Sequence, residues 1–589
     1  MTAAATHSPD ISLNLIEAGM TLIAVFWALA FPRLGSRLFA HVESTARPLA
    51  LRKGLAVGVV GLTAVLMRLA ILPFCPAPLP FSPNDFSFLL AADTFAHGRL
   101  ANPTPAMWTH FETIHVTMQP AYASMYFPLQ GLLLAAGKLL FGNPWFALVC
   151  ASGLMCAAIC WMLQAWLPPG WALLGGFLAV IRLGLFSYWI NTYSGGGLLS
   201  ALGGALVLGA LPRLTKAKTI RHRDGLLLAV GIALLAMTRP YEGLLLCLPV
   251  AGALGYWIFR GKNRPRGRTL FRQAALPLAI VILAGVWLGY YDYRAFGSPA
   301  TLPYTVDRAT YAVAPYYVWQ SQRPDPGYRH PSMRRFYYES ELAEFKKVQT
   351  PAGFAIHSLL KVCLNFLFFA GFALLPALFM MRRVLLDSRV RFLVLCVAVL
   401  VAGMSIQIYY LPHYVAPFTA AFYAIGLQGM RHLRLWRSAG QPVGLAIVRL
   451  TVLVCFVLAG VRLFAGPLHI RLVEWPSGEW IAEWYGPGIF GQERASIETK
   501  LENLPGDQLA IVHYSEKHNP MDEWVYNAAG IDSSKVIWAQ DMDPRDNAEL
   551  VAHYKNRQIW LVEPDTIPAK ISPYSATNEG GSKGALLPR

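Results

Sequence analysis

Charge is what this 589-residue sequence has least of. Asp, Glu, Lys and Arg together make up 14% of it while 55% is hydrophobic, against about 25% charged residues in a typical soluble protein. That scarcity excludes an ordinary soluble globule. Runs of roughly 20 apolar residues, the length of a membrane-crossing helix, recur along most of the chain. Carboxylates are the scarcer sign, 33 against 50 Lys and Arg, for a formal net charge of +17. The basic residues stand in short blocks between apolar runs, as in the positive-inside pattern. They do not form a phosphate-tracking stripe, so nucleic acid is excluded as a partner. None of the eight cysteines forms a CxxC pair; seven fall in apolar runs and Cys75 stands alone at the end of one. A zinc ribbon and a disulfide framework are both excluded, leaving small buried hydrophobes.

Before the first apolar run, about 12–31, and in its first turns there is no Lys or Arg but Asp10 and Glu17, and the basic cluster Arg33, Arg37, Arg47, Arg52 and Lys53 follows it. This describes an uncleaved span with its N-terminus outside. Further spans are expected at about 54–74, 144–166, 171–186, 195–214, 224–238, 240–259, 273–291, 355–381, 389–409, 411–430 and 443–465. Pro128 to Phe141, which contains Lys138, is short for a span and reads as an interfacial helix. Left out of the count, it puts every basic block on one side: Lys216 to Arg223, Arg260 to Arg272, Met381 to Arg389 and Arg431 to Arg437.

The expected fold class is an all-α polytopic membrane protein of about twelve transmembrane helices. Interfacial helices lie in its first outer loop, a small α/β domain ends it, and both termini are extracytoplasmic. Four parts are expected: an extra N-terminal span and basic loop (1–53), a transmembrane domain with outer loops 75–143 and 292–354 (54–466), the C-terminal domain (467–575), and a disordered tail (576–589). In the C-terminal part, strands at Gln508 to Tyr514, Lys535 to Ala539 and Gln558 to Glu563 alternate with helical stretches. It contains no GxGxxG and no P-loop, so nothing there suggests a nucleotide site.

The residues that can carry chemistry lie on the expected outer side. Asp85, in Pro83-Asn84-Asp85, is either a general base or a helix cap. Asp93 follows eight residues on, and Arg99 ends the same stretch. His110, Glu112 and His115 can approach one divalent ion, although their spacing matches no established zinc or iron motif, or else bind an acceptor. Arg68, Arg182, Arg239 and Lys361 are cations in or at the outer ends of spans. A cation inside a span costs about 2.5–3.5 kcal/mol, so such residues are usually paired or functional, and a lipid phosphate is the natural anion at that depth. Glu242 is a local partner for Arg239. His413 and Tyr414, in the turn Tyr409 to Pro417, can meet a phosphate or a sugar hydroxyl or belong to an aromatic belt. The Gly195-Gly196-Gly197 and Gly203-Gly204 runs suit close helix packing.

Taken in order, these features resemble the GT-C integral membrane glycosyltransferases, especially bacterial relatives of protein O-mannosyltransferases and aminoarabinose transferases, over roughly residues 54–465. The matching motifs are Asn84-Asp85 after a span, Tyr126-Phe127-Pro128-Leu129 before an interfacial helix ending in Leu140-Phe141-Gly142, and a late His413-Tyr414 with Pro417. The family's first outer loop typically carries an acidic pair, and here its first member is the amide Asn84. The resemblance implies an inverting transferase on the outer face of the plasma membrane, using a polyprenyl-phosphate sugar and a glycan, lipid or protein acceptor. Asp85 would be the catalytic base. Asn84, Asp93, Arg99, His110, Glu112, His115, Arg182, Arg239, Glu242, Lys361, His413 and Tyr414 would bind substrate. No cofactor is required by this reading, and a divalent metal ion is compatible with it. A transporter or flippase of lipid-linked saccharides, an oligosaccharide ligase or polymerase, and a non-catalytic relative are the alternatives.

Overall fold

A computed structural model describes residues 11–216, 221–261, 267–465, 468, 470–471 and 490–574. The expected disordered tail, the junction before the C-terminal domain and parts of two basic blocks lie outside these residues. Each of the twelve expected spans coincides with helix. Among the described residues, eight helices are long and apolar enough to cross a membrane: Leu13–Ala30, Lys53–Ala70, Trp145–Trp166, Gly197–Thr215, Pro240–Arg260, Leu270–Phe296, Pro351–Phe369 and Val443–Leu463. The helices in the other four segments are shorter. Pro128–Phe141 is a helix of 14 residues that opens on proline and closes on Gly142 at φ 72°, the N-terminal proline and C-terminal glycine asymmetry of helices.

The bundle is densest around Trp145–Trp166 and Gly197–Thr215, of which 72% and 83% of an 18-residue window is buried. Small residues make this possible. A Cβ on Gly204 would stand 1.8 Å from the carbonyl oxygen of Pro417, so this glycine is a packing residue, as its sequence suggests.

The N-terminal span is fastened by a buried ion pair. Arg182, in a π-helical turn at Val180–Gly184, donates from Nη1 to Glu17 Oε1 at 3.2 Å and from Nε to the Phe368 carbonyl at 2.8 Å. Glu17 Oε1 also accepts the Ala373 N–H at 3.3 Å, across the break where Gly371 takes φ 62°. Stranding one member of such a pair costs about 3–5 kcal/mol, whereas apolar replacement of both is often neutral. Glu17→Leu is therefore expected to destabilise the protein by about that much, and Glu17→Leu with Arg182→Met by less. Unfolding titrations in detergent measure the difference.

The C-terminal part is an α/β unit. Its sheet order is Val536–Gln540, Gln508–Val512, Gln558–Glu563, Lys570–Pro573, the first three parallel and the last antiparallel. The three expected strands are present; Lys570–Pro573 was not foreseen, since only its pairing with Gln558–Glu563 marks it as a strand.

Candidate active site

The turns expected outside meet at one end of the bundle. The loop helix Pro83–Ala96 begins with a capping box. Ser82 Oγ accepts the Asp85 N–H at 3.2 Å, and Asp85 Oδ2 accepts the N–H groups of Ser82 and Phe81, both at 3.4 Å. Each side chain thereby satisfies a donor that the helix start leaves open. Asp85 Oδ1 reaches further and accepts the Tyr193 N–H at 2.9 Å, tying the loop helix to the turn that ends in Gly195-Gly196-Gly197. The carboxyl is fully buried. Burial raises its pKa to about 6 against the pull of its N–H donors, so it is ionised at neutral pH.

Asn84 faces a different partner. Tyr126 Oη donates to Asn84 Oδ1 at 2.5 Å and lies 3.1 Å from His115 Nδ1. With the tyrosine proton spent on Asn84, Nδ1 must be the donor of the second bond. Burial and the Arg308 charge lower His115 to about 3, so the ring is neutral. His115 takes φ 65°, a left-handed conformation costing of order 1–3 kcal/mol that persists only where its surroundings hold it.

Gly195 and Gly196 have φ 91° and 62°, and their turn opens the 19-residue helix Gly197–Thr215, which has no side-chain cap. Its first N–H groups therefore point into this region. Arg239 Nη2 donates to the Gly195 carbonyl at 3.0 Å, and its guanidinium lies 4.4 Å from the Tyr414 ring centroid. His413 closes over the same turn, 3.0 Å from a Cβ placed on Gly195. Tyr188 Oη accepts the His413 N–H at 3.0 Å and stands 2.6 Å from its Nδ1.

The long loop covers this end. Tyr304 packs against Tyr126 and Tyr316, with ring centroids 5.5 and 6.1 Å apart. On Pro303–Tyr311, Arg308 makes two 2.7 Å bonds to Glu341. Asp307 meets Tyr337 Oη at 3.2 Å. Burial, opposed by the Arg308 charge, raises Asp307 to about 7.

Other expected site residues have structural partners. Lys361 Nζ donates to the carbonyls of Met404 (2.9 Å) and Gln407 and so caps the helix Arg391–Ile406. Arg182 holds Glu17. Arg68 donates to the Cys75 carbonyl and Asn191 at 2.9 and 2.8 Å. Asp93 pairs with Lys138 of the helix Pro128–Phe141 and accepts the Ala529 N–H at 2.8 Å. Burial works against its charge, yet these donors and the Lys138 charge hold its pKa below the ordinary value. Its stabilising contribution is thus complete above the ordinary aspartate pKa of about 3.9 and is lost as pH falls through the lower folded value. Arg99 is half-buried, and its N–H bonds the Thr94 carbonyl at 3.1 Å. Glu242 is buried at the start of Pro240–Arg260.

The three residues considered as metal ligands diverge. His110 faces the carbonyls of Gln540 and Asp546 at 3.1 and 3.2 Å. Glu112 meets Arg329 at 3.3 Å and Tyr311 at 3.2 Å, and His115 meets Tyr126. Among the described residues no three His, Cys, Asp or Glu side chains converge. They do not fit a metal ion, and no step below uses one.

Sequence reasoning missed the Gly195–Gly197 turn as part of the site, and with it Tyr188. Three successive glycines before an apolar run were the available signal, since a left-handed turn needs glycine whereas packing rarely needs three in a row.

No family model matches the chain, and no curated protein matches its sequence. Among solved structures it is similar to the Archaeoglobus fulgidus oligosaccharyltransferase in the apo form, at 12% identity over 87% of this chain and 69% of that one, with a TM-score of 0.47. It is also similar to ArnT from Cupriavidus metallidurans in the apo state, at 13% identity over 85% and 92% (TM-score 0.45). ArnT bound to undecaprenyl phosphate matches at 12% over 86% and 92% (TM-score 0.46).

Proposed function

We propose that this protein transfers a sugar from a polyprenyl-phosphate donor to an acceptor hydroxyl at the outer face of the plasma membrane. The observation that carries this reading is the anion seat made by Arg239 and the uncapped head of Gly197–Thr215. An arginine fork, a left-handed glycine turn and a helix N-terminus together suit a phosphate at the bundle end. The sugar would lie under Tyr304 and Tyr316, whose loop excludes the water that would hydrolyse the donor.

In the reaction the acceptor oxygen attacks the anomeric carbon opposite the phosphate. The new C–O bond forms as the sugar–phosphate C–O bond breaks, the configuration inverts, and the hydroxyl proton passes to a carboxylate. The phosphate leaves with both electrons, its charge offset by Arg239 and the helix head. Asp85 is the proposed base. Ionised at neutral pH, its carboxylate has about four lone-pair sites, and three are taken by N–H donors. Asp307 is a second reading, favoured by one observation: its carboxylate meets the single hydroxyl of Tyr337. We place twelve spans in the membrane, with the outer loops and C-terminal domain on the donor's side.

Purified protein should move label from a radiolabelled polyprenyl-phosphate sugar to an acceptor. Absence of both transfer and undecaprenyl-phosphate binding would refute the reading. A reporter fused after Pro467 should read extracytoplasmic; a cytoplasmic reading would overturn the topology.

A further inference from the structure

The C-terminal sheet poses a question of its own. Its first strand in sequence, Gln508–Val512, is central, and the next two lie on either side of it. In open α/β sheets the crevice at the carboxyl ends of the strands, where the order switches sides, is where ligands bind. Here that crevice holds part of the same chain. Gln540, the last residue of its strand, donates from Nε2 to the Glu112 carbonyl at 2.6 Å, while its own carbonyl faces His110 Nδ1 at 3.1 Å. Thr113 donates to Glu523 Oε2. Glu523 Oε1 accepts from Tyr514 Oη at 2.7 Å and the Val525 N–H at 2.8 Å, and its own N–H bonds the Phe81 carbonyl at 2.9 Å. Phe111, Val116 and Met118 of the outer loop share one buried cluster with Leu509, Ile511 and Ile537 of the sheet.

We infer that the carboxyl-end crevice of the C-terminal domain is the socket of the outer-loop segment 109–115, and that Gln540 and Glu523 are positioning residues for the active site. The route is short and physical. Gln540 fixes the backbone at Glu112 and Glu523 fixes Thr113. The segment between these anchors and the Val116–Thr117 strand must then turn at His115, which takes the left-handed conformation. His115 holds Tyr126, and Tyr126 holds Asn84, the neighbour of Asp85. Left-handed non-glycine residues persist only where the surroundings impose them, and the socket supplies that constraint. In its effect on transfer, the inference rests on the glycosyltransferase reading.

Hydrogen–deuterium exchange on the full-length protein tests the socket without any activity. Gln540→Ala and Glu523→Gln should each raise exchange of the amides at 110–117 at least tenfold, leaving the transmembrane helices unchanged. Thr113→Val, made from the loop side, should reproduce Glu523→Gln, and the double variant should add nothing further. Unchanged exchange in all of these variants, or a rise spread evenly over the protein, would overturn the inference. If transfer is measurable, Gln540→Ala should lower kcat, by up to ~10²-fold for an ångström-scale misplacement, while undecaprenyl-phosphate affinity stays at the wild-type value. Exchange confined to 110–117 in the variants, with neither transfer nor undecaprenyl-phosphate binding by the wild type, would refute the transferase reading and leave the socket standing.

Discussion

Arg239→Gln is expected to weaken undecaprenyl-phosphate binding by roughly 10- to 100-fold. A hydrogen bond to a charged group contributes about 1.5–3 kcal/mol, and 1.4 kcal/mol is a factor of ten. The residue is 7% exposed, so added salt screens the contact weakly, and the loss should persist at high ionic strength. Lysine should not restore binding fully. It keeps the charge but loses the planar fork that reaches the Gly195 carbonyl and the face that stacks on Tyr414. A backbone test is independent of this charge. Gly196→Ala leaves Arg239 in place but forces a Cβ into the left-handed region, at about 1–2 kcal/mol. It should weaken binding through loss of the turn. Calorimetry with undecaprenyl phosphate reads both, and wild-type affinity in both variants would remove the anion seat from the account.

The second large effect is at Asp85. Asp85→Asn is expected to lower kcat by about 10²–10⁴-fold, the usual contribution of a positioned base. The amide also sets its own N–H₂ among the donors from Phe81, Ser82 and Tyr193, so a cap loss of about 0.5–2 kcal/mol should accompany it. A cap alone accounts for the stability change and not for the rate. The Asn variants separate the two carboxyls, and the pH profile reports the one that serves as base. A phosphodiester donor has no ionisation near neutrality, so an acidic limb in kcat/KM reports the enzyme. With Asp85 as base, transfer falls as pH drops through about 6; with Asp307 it falls through about 7, and Asp307→Asn becomes the inactive variant.

The helices were legible because their signal is local: an apolar run of sufficient length with basic blocks between. The C-terminal strands were legible for the same reason. What could not be read were partners distant in sequence. Glu523 and Thr113 are 410 residues apart, and Glu17 and Arg182 are 165 apart; nothing at either site names the other. The span-end cations show the consequence. All four share one sequence signature, yet Lys361 caps a helix, Arg182 closes an ion pair, Arg68 braces a turn, and Arg239 reaches the glycine turn. Glycines divide in the same way. Gly204 is crowded by Pro417 while Gly195 and Gly196 are left-handed, and only φ distinguishes the two uses. At Asp85 the sequence offered a cap and a base, and the capping box is plain in the structure, while the base role is a matter for kinetics.

The central claim is that a polyprenyl-phosphate sugar is cleaved at the Arg239 end of the bundle. Its most direct test places purified protein in nanodiscs with a panel of radiolabelled polyprenyl-phosphate sugars and follows the sugar. The account predicts inverting transfer from at least one donor by the wild type, with kcat/KM reduced at least tenfold in Arg239→Gln. Intact donor throughout the panel, with no undecaprenyl-phosphate binding, would contradict it. So would movement of the uncleaved lipid-linked sugar across proteoliposomes, which would make the protein a transporter.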